Sequence, residues 1–131
     1  MKDNAGTMAD SFDRLFLAVR QARERSPSAS RTSKLFRDGV QKMAKKLAEE
    51  AVEVGLDAVL MNRESVILES ADLLYHLAVI WVECRVTPDD VMAEIDRREQ
   101  IYGIAEKLPK HSSAPQIQRM TPLASRRKHA S

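Results

Sequence analysis

Apolar residues recur every three to four positions along most of this chain, the period of helices that bury one face. Phe12, Leu15, Phe16 and Val19 predict a first helix over Asp10–Arg25, with Asp10 or Ser11 as its N-cap. Ser26-Pro27-Ser28-Ala29-Ser30 interrupts that pattern as a loop, and residues 31–39 read as a basic approach segment. Val40, Met43, Leu47, Val54 and Val59 stripe a second helix from about Asp38 to Met61, with Asn62 at the turn. A third, roughly 63–84, is apolar almost all round from Leu73 to Val82, which places it centrally or at a subunit interface. Thr87-Pro88-Asp89-Asp90 has the make-up of a helix start: a capping hydroxyl, proline at the first helical position, acids in the first turn. It predicts a last helix over about 88–102, carrying Val91, Met92, Ile95 and Ile101.

The expected fold is therefore all-α, a bundle of four to five helices in one domain over residues 10–107, after a flexible N-terminus at 1–9. Only four glycines among 131 residues agree with helix over sheet. From Leu108 the chain turns polar and basic, and residues 108–131 read as a disordered tail. That tail holds five of the 21 basic residues and none of the 19 acids, so the preceding part has sixteen bases against nineteen acids. The formal net charge of +2 is thus no argument that the folded body binds nucleic acid. No apolar run reaches the roughly 20 residues that span a bilayer, the N-terminus has no apolar signal segment, and a lone cysteine excludes an intrachain disulfide. These features lead to an expectation of a cytoplasmic protein without membrane partners.

Acids change the picture. Glu49, Glu50 and Glu53 lie in one apolar helix, Glu69 and Asp72 in the next. Residues three apart share a helix face, so Glu50 pairs with Glu53 and Glu69 with Asp72. Most helical glutamates are solvated or paired with lysines, and Glu49 has Lys45 and Lys46 within reach. The acids of Val66-Ile67-Leu68-Glu69-Ser70-Ala71-Asp72-Leu73-Leu74 are harder to explain that way, since aspartate is a poor mid-helix residue. Antiparallel packing of the two helices would gather the pairs into one cluster. Carboxylates crowded in a half-buried site need a compensating charge, and hard oxygen ligands suit Mg²⁺ or Mn²⁺. His76 reads as a core residue or as a donor orienting Asp72. Tyr75 and Trp81 read as core or interface residues, and Cys84 as a buried or interfacial thiol.

Four strings carry a family resemblance: Thr32-Ser33-Lys34-Leu35-Phe36-Arg37-Asp38-Gly39, Lys46-Leu47-Ala48-Glu49-Glu50-Ala51-Val52-Glu53-Val54, Glu69-Ser70-Ala71-Asp72-Leu73-Leu74-Tyr75-His76-Leu77 and Asp89-Asp90-Val91. Together they resemble the phosphoribosyl-ATP pyrophosphohydrolases, a branch of the all-α MazG-like nucleotide pyrophosphatases, over about residues 10–102. The acid spacing marks the superfamily; Ala-Asp-Leu-Leu-Tyr-His and Lys-Leu-Phe mark the branch. Two departures stand on the substrate side. Ala48 replaces the family's usual glycine before the double glutamate, and Arg31-Thr32-Ser33 replaces Ser-Tyr-Thr.

The resemblance implies Mg²⁺-dependent hydrolysis of phosphoribosyl-ATP to phosphoribosyl-AMP and pyrophosphate, the second step of histidine biosynthesis, by a homodimer. It implies Glu50, Glu53, Glu69 and Asp72 as metal ligands. Glu49, about 100° round the helix, is a candidate for a second metal or for polarising the attacking water. Arg31, Lys34, Arg37, Lys42, Lys45 and Lys46 form a cationic run before the acids. Lys34 and Lys46 lie within family-like strings and are the favoured phosphate contacts, with Arg37 and Arg31 behind them, while Lys42 and Lys45 read equally well as solvated lysines. Two other readings stand beside this one. A house-cleaning nucleoside triphosphate pyrophosphatase would keep the acids and change the base and ribose contacts. A non-catalytic helical dimer would use the basic tail for salt-sensitive nucleic-acid binding, which the tail's lack of interleaved aromatics disfavours.

Overall fold

A computed structural model describes residues 6–103, all of them helical or in short connections. Its elements are α1 (Met8–Arg23), α2 (Arg31–Asp38), α3 (Val40–Val59), α4 (Arg63–Cys84) and α5 (Pro88–Tyr102). The all-α expectation holds. The expected tail, residues 108–131, lies outside the described residues, as do residues 1–5. Residues up to Glu94 form one compact unit; from Ile95 onward the described chain is the remainder of α5, in a second.

Each helix start has a local cause. Thr7 caps α1, its hydroxyl accepting from the Asp10 amide at 3.1 Å while the Asp10 carboxylate accepts from the Thr7 amide at 3.3 Å. The expected cap at Asp10 or Ser11 is thus corrected: Asp10 is the third residue of the helix and closes a reciprocal capping box. Asn62 caps α4 through the Ser65 amide at 3.2 Å, and Thr87 with Asp90 forms a second reciprocal box at the start of α5.

Residues 31–38 of the basic approach segment form a helix, α2, which brings the bundle to the upper number of the four to five helices expected. Ser30 caps it by accepting from the Ser33 amide at 3.0 Å, and the Ser33 hydroxyl, itself buried, donates to the Ala22 carbonyl of α1 at 2.8 Å. Gly39 ends α2 and begins α3 with φ of +102°, a conformation that side-chain-bearing residues rarely adopt. Eight mostly polar residues leave too short an apolar stripe for periodicity to reveal them.

The core lies between α1, α3 and α4: Phe16 and Val19, Met43, and Ala78, Val79 and Val82. Met43 and Val79 are essentially inaccessible. Phe12 and Trp81 close its edge with rings edge-to-face at 5.3 Å. Arg23 ties α1 to α4 by donating to the Val82 carbonyl at 3.3 Å and pairing with Glu83 at 3.4 Å. The second half of α4 is the central element, as its all-round apolarity predicted. By length and mean hydropathy α4 would suffice to cross a bilayer, but Glu69 and Asp72 interrupt it and its uninterrupted apolar run stays short of a span, as expected. Its buried face packs against α1 and α3 in the core. Cys84, expected to be buried or interfacial, is exposed in the single chain.

Candidate active site

The turn at residues 60–62 returns the chain so that α3 and α4 pack along one another. That packing brings the two acid pairs together. One carboxylate oxygen each from Glu50, Glu69 and Asp72 lies within 4.8 Å of the others. Glu50 and Glu69 are half-buried and Asp72 is exposed. Glu53, one turn beyond Glu50, stands close enough to Glu69 for a proton shared between the two carboxyls to be felt. That sharing is the first cause holding the Glu53 carboxyl above the usual carboxylate range, with the Glu69 charge second. Glu69 is raised too, first by its hydrogen bond with Glu50, while its bond with Glu53 acts in the opposite sense. Two carboxylates can share a hydrogen bond only if one keeps its proton, so the raised values express crowding of like charge.

Oε2 of Glu50 is buried and has no hydrogen-bond partner. An unpaired buried carboxylate oxygen is costly, and a cation is the partner that would suit it and its neighbours at once. The donor set is oxygen only, which fits a hard divalent ion. Glu49 is not part of this group. It is exposed, and its nearest recorded partner is Lys46 at 3.9 Å, the ordinary helix pairing.

Beside the acids is a cavity of about 240 Å³ whose cations are Arg31 and Lys34 from α2 and Lys42 and Lys46 from α3. Lys34 also pairs with Asp38 at 3.1 Å, and that hydrogen bond is the main reason the Asp38 carboxyl sits below its usual value. The favoured phosphate contacts, Lys34 and Lys46, line the cavity, and so does the weaker candidate Arg31. Arg37 does not; it is exposed, and its charge is felt at Asp38. Lys42, which sequence reasoning left undecided, does line it. The missed signal was the spacing of Lys42, Lys46 and Glu50, each four residues apart and so on one stripe of α3.

Tyr75 and His76 were also underrated, for both line this cavity and a second of about 350 Å³ that includes Thr32 and Asp72. The Tyr75 hydroxyl hydrogen-bonds Thr32, fastening α2 to the middle of α4. His76 is only 7% exposed, and its Nδ1 is buried without a partner. Burial holds the imidazole below its usual value against the opposing charge of Asp72, so His76 is neutral at neutral pH.

Residues 12–99 match the profile of the family described as phosphoribosyl-ATP pyrophosphohydrolase. The chain is 63% identical over 103 residues to phosphoribosyl-ATP pyrophosphatase 2 of Rhodopseudomonas palustris, covering 79% of each chain. It is 57% identical over 103 residues to the protein of that name in Bradyrhizobium diazoefficiens, covering 79% of this chain and 77% of the relative. To the phosphoribosyl-ATP pyrophosphatase of Gluconobacter oxydans it is 49% identical over 96 residues, 73% of this chain and 72% of the other.

Proposed function

Since the chain belongs to the phosphoribosyl-ATP pyrophosphohydrolase family, we propose that it hydrolyses phosphoribosyl-ATP to phosphoribosyl-AMP and pyrophosphate, the second step of histidine biosynthesis, with Mg²⁺ as a homodimer in the cytoplasm. The observation that carries this reading is the juxtaposition of three carboxylates within 4.8 Å of one another with a pocket walled by four cations.

In the reaction a water oxygen bonds to phosphorus, the bridging P–O bond breaks with its electron pair left on the bridging oxygen, and the water's proton is released. Phosphate chains are highly anionic and gain charge at the leaving oxygen, so positioning and charge neutralisation are most of what the protein supplies. Arg31, Lys34, Lys42 and Lys46 bind and orient the phosphates from two helices held at a fixed angle. Glu50, Glu69 and Asp72, with Glu53 alongside, are the residues that would hold Mg²⁺ or Mn²⁺. Bound there, such an ion draws charge from phosphate oxygens and lowers the pKa of a water. With the ion bound, Glu53 would be an ionised carboxylate beside the site, able to take up the proton that the water loses. Asp38 restrains Lys34, keeping its ammonium on the pocket wall.

The homodimer is supported by an apolar strip across the end of α3 and the start of α4. Val52, Leu56, Val59, Leu60, Met61 and Leu68 are each more than half exposed there. A second copy related by a two-fold axis would cover it. The test of the activity is pyrophosphate release from phosphoribosyl-ATP and from a panel of dNTPs, with and without Mg²⁺. Mg²⁺-dependent release from phosphoribosyl-ATP is expected; release from dNTPs alone would replace this reading with the house-cleaning one.

A further inference from the structure

Where the last turns of α1 meet the end of α4 and the turn at residues 85–87 there is a further cavity, of about 480 Å³. It shares no lining residue with the two cavities beside the acids, and its volume is that of a small-molecule site. Phe16 and Val86 give it an apolar wall, and Arg20, Arg23 and Arg85 bring three guanidiniums to it. Each guanidinium is held in place without being used up. Arg23 donates to the Val82 carbonyl at 3.3 Å and pairs with Glu83 at 3.4 Å, which leaves most of its N–H fork available. Arg20 stands over the Phe16 ring, 5.9 Å from its centre. Arg85 caps α4 at φ +60° and ψ +35°, a left-handed turn where glycine or asparagine is the unstrained choice. An arginine in that conformation is accounted for by what its side chain does.

We infer that this cavity is a second ligand site, an effector site for a small aromatic monocarboxylate. An arginine fork meets a carboxylate through two parallel hydrogen bonds. Charge sets the valence. Glu24 also lines the cavity and Glu83 stands at Arg23, so three guanidiniums against two carboxylates leave one positive charge. A phosphate chain, which the lysine wall near Glu50 suits, carries more charge than that. Phe16 and Val86 take the flat body of the ligand, and a guanidinium already lying over one ring can lie over another. Occupancy would reach the active site through Arg23, whose guanidinium also stands 5.5 Å from the centre of the Phe36 ring on α2. A carboxylate that draws Arg23 into the cavity loosens its hold on the helix carrying Arg31 and Lys34. The binding is independent of the activity proposed above; the effect on turnover rests on it.

The experiment is titration of the full chain with benzoate, and with benzamide as the uncharged ring, followed by amide NMR shifts. Benzoate is expected to move the amides of Arg85, Val86 and Thr87 saturably, and benzamide to leave them in place. Arg85→Gly suits the left-handed backbone, so it should hold Tm while weakening benzoate about tenfold, the loss of one charge-assisted contact. Arg20→Gln replaces one exposed helix former by another and should weaken benzoate severalfold, which tests the site even if the turn at Arg85 is disturbed. Unchanged affinity in both variants, equal binding of benzamide, or shifts centred on Lys34 and Lys42 instead would overturn the site. Saturating benzoate should raise KM for phosphoribosyl-ATP about fivefold in the unaltered chain and not in Arg85→Gly. An unchanged KM would overturn the effector role. A chain that turns over no phosphoribosyl-ATP would overturn the activity instead, and the titration alone then decides the site.

Discussion

Glu53 of α3 and Glu69 of α4 bring their carboxyls together, and each is held above the usual carboxylate range because two such groups side by side are stable only while one keeps its proton. Both carboxyls are raised from an ordinary value of 4.5, so the folded chain binds more protons here than the unfolded one. The stabilisation from this pair is present at acid pH and lost as pH rises through the raised folded values. In divalent-free buffer, melts between about pH 4 and 8 should show the unaltered chain losing Tm relative to Glu69→Gln as pH rises. Adding Mg²⁺ at neutral pH should return the loss to the unaltered chain only. Parallel Tm curves for the two proteins would mean that the carboxylates do not share a proton.

Asp72→Asn and Glu50→Gln keep size and remove charge. Each should lower kcat by about a hundredfold or more, the scale of losing a preorganised electrostatic contact to the reacting group, with far-ultraviolet circular dichroism unchanged. Glu49→Gln should stay within about threefold of the unaltered enzyme, because Glu49 is exposed, pairs with Lys46 at 3.9 Å and is not among the three carboxylates that meet within 4.8 Å. A collapse of activity in Glu49→Gln would restore it to the catalytic set.

Lys34→Glu reverses one charge of the phosphate wall and breaks the pair with Asp38. Steady-state kinetics should show KM raised about tenfold or more with kcat little changed, the signature of ground-state binding. A fall in kcat alone would assign Lys34 to the transition state.

Met43 is 1% exposed at the meeting of α1, α3 and α4. Met43→Ala should cost about 2–5 kcal/mol in urea unfolding, transfer and cavity contributions together. A cost below about 1 kcal/mol would mean that the neighbouring helices close the gap.

Leu56, 60% exposed on the apolar strip, should matter to assembly rather than to folding. Sedimentation of Leu56→Glu should give a monomer where the unaltered chain gives a dimer. Dimers in both would move the interface elsewhere.

The long helices could be read from sequence because each carries an apolar stripe over four turns or more, and α4 began within a residue of where Asn62 and Arg63 placed it. The acid pairs were legible for the same reason: three-residue spacing survives any rigid packing of two helices. What depended on packing was not. Arg37 and Lys34 look alike in sequence, but α2 turns Lys34 to the pocket and Arg37 away from it, and α2 itself was invisible because its cap, Ser30, and its anchor, Ser33, bond to backbone that periodicity does not see. Tyr75 and His76 read as core because an apolar string surrounds them. They line the cavities because α2, fastened at Thr32, leaves space beside them.

The single residue between α2 and α3 has a wider consequence. A Cβ on Gly39 would touch nothing within 4 Å, so no crowding forbids a larger residue; only the backbone angle does. Arg31 and Lys34 ride on one arm of this elbow, Lys42, Lys46 and Glu50 on the other. Substituting Gly39 would keep every chemical group in the sequence and shift those on one arm relative to those on the other. Evolution can therefore retune or silence this catalyst through a position with no chemistry of its own, and an engineer seeking a different substrate length has in that elbow a dial that leaves the reacting groups untouched.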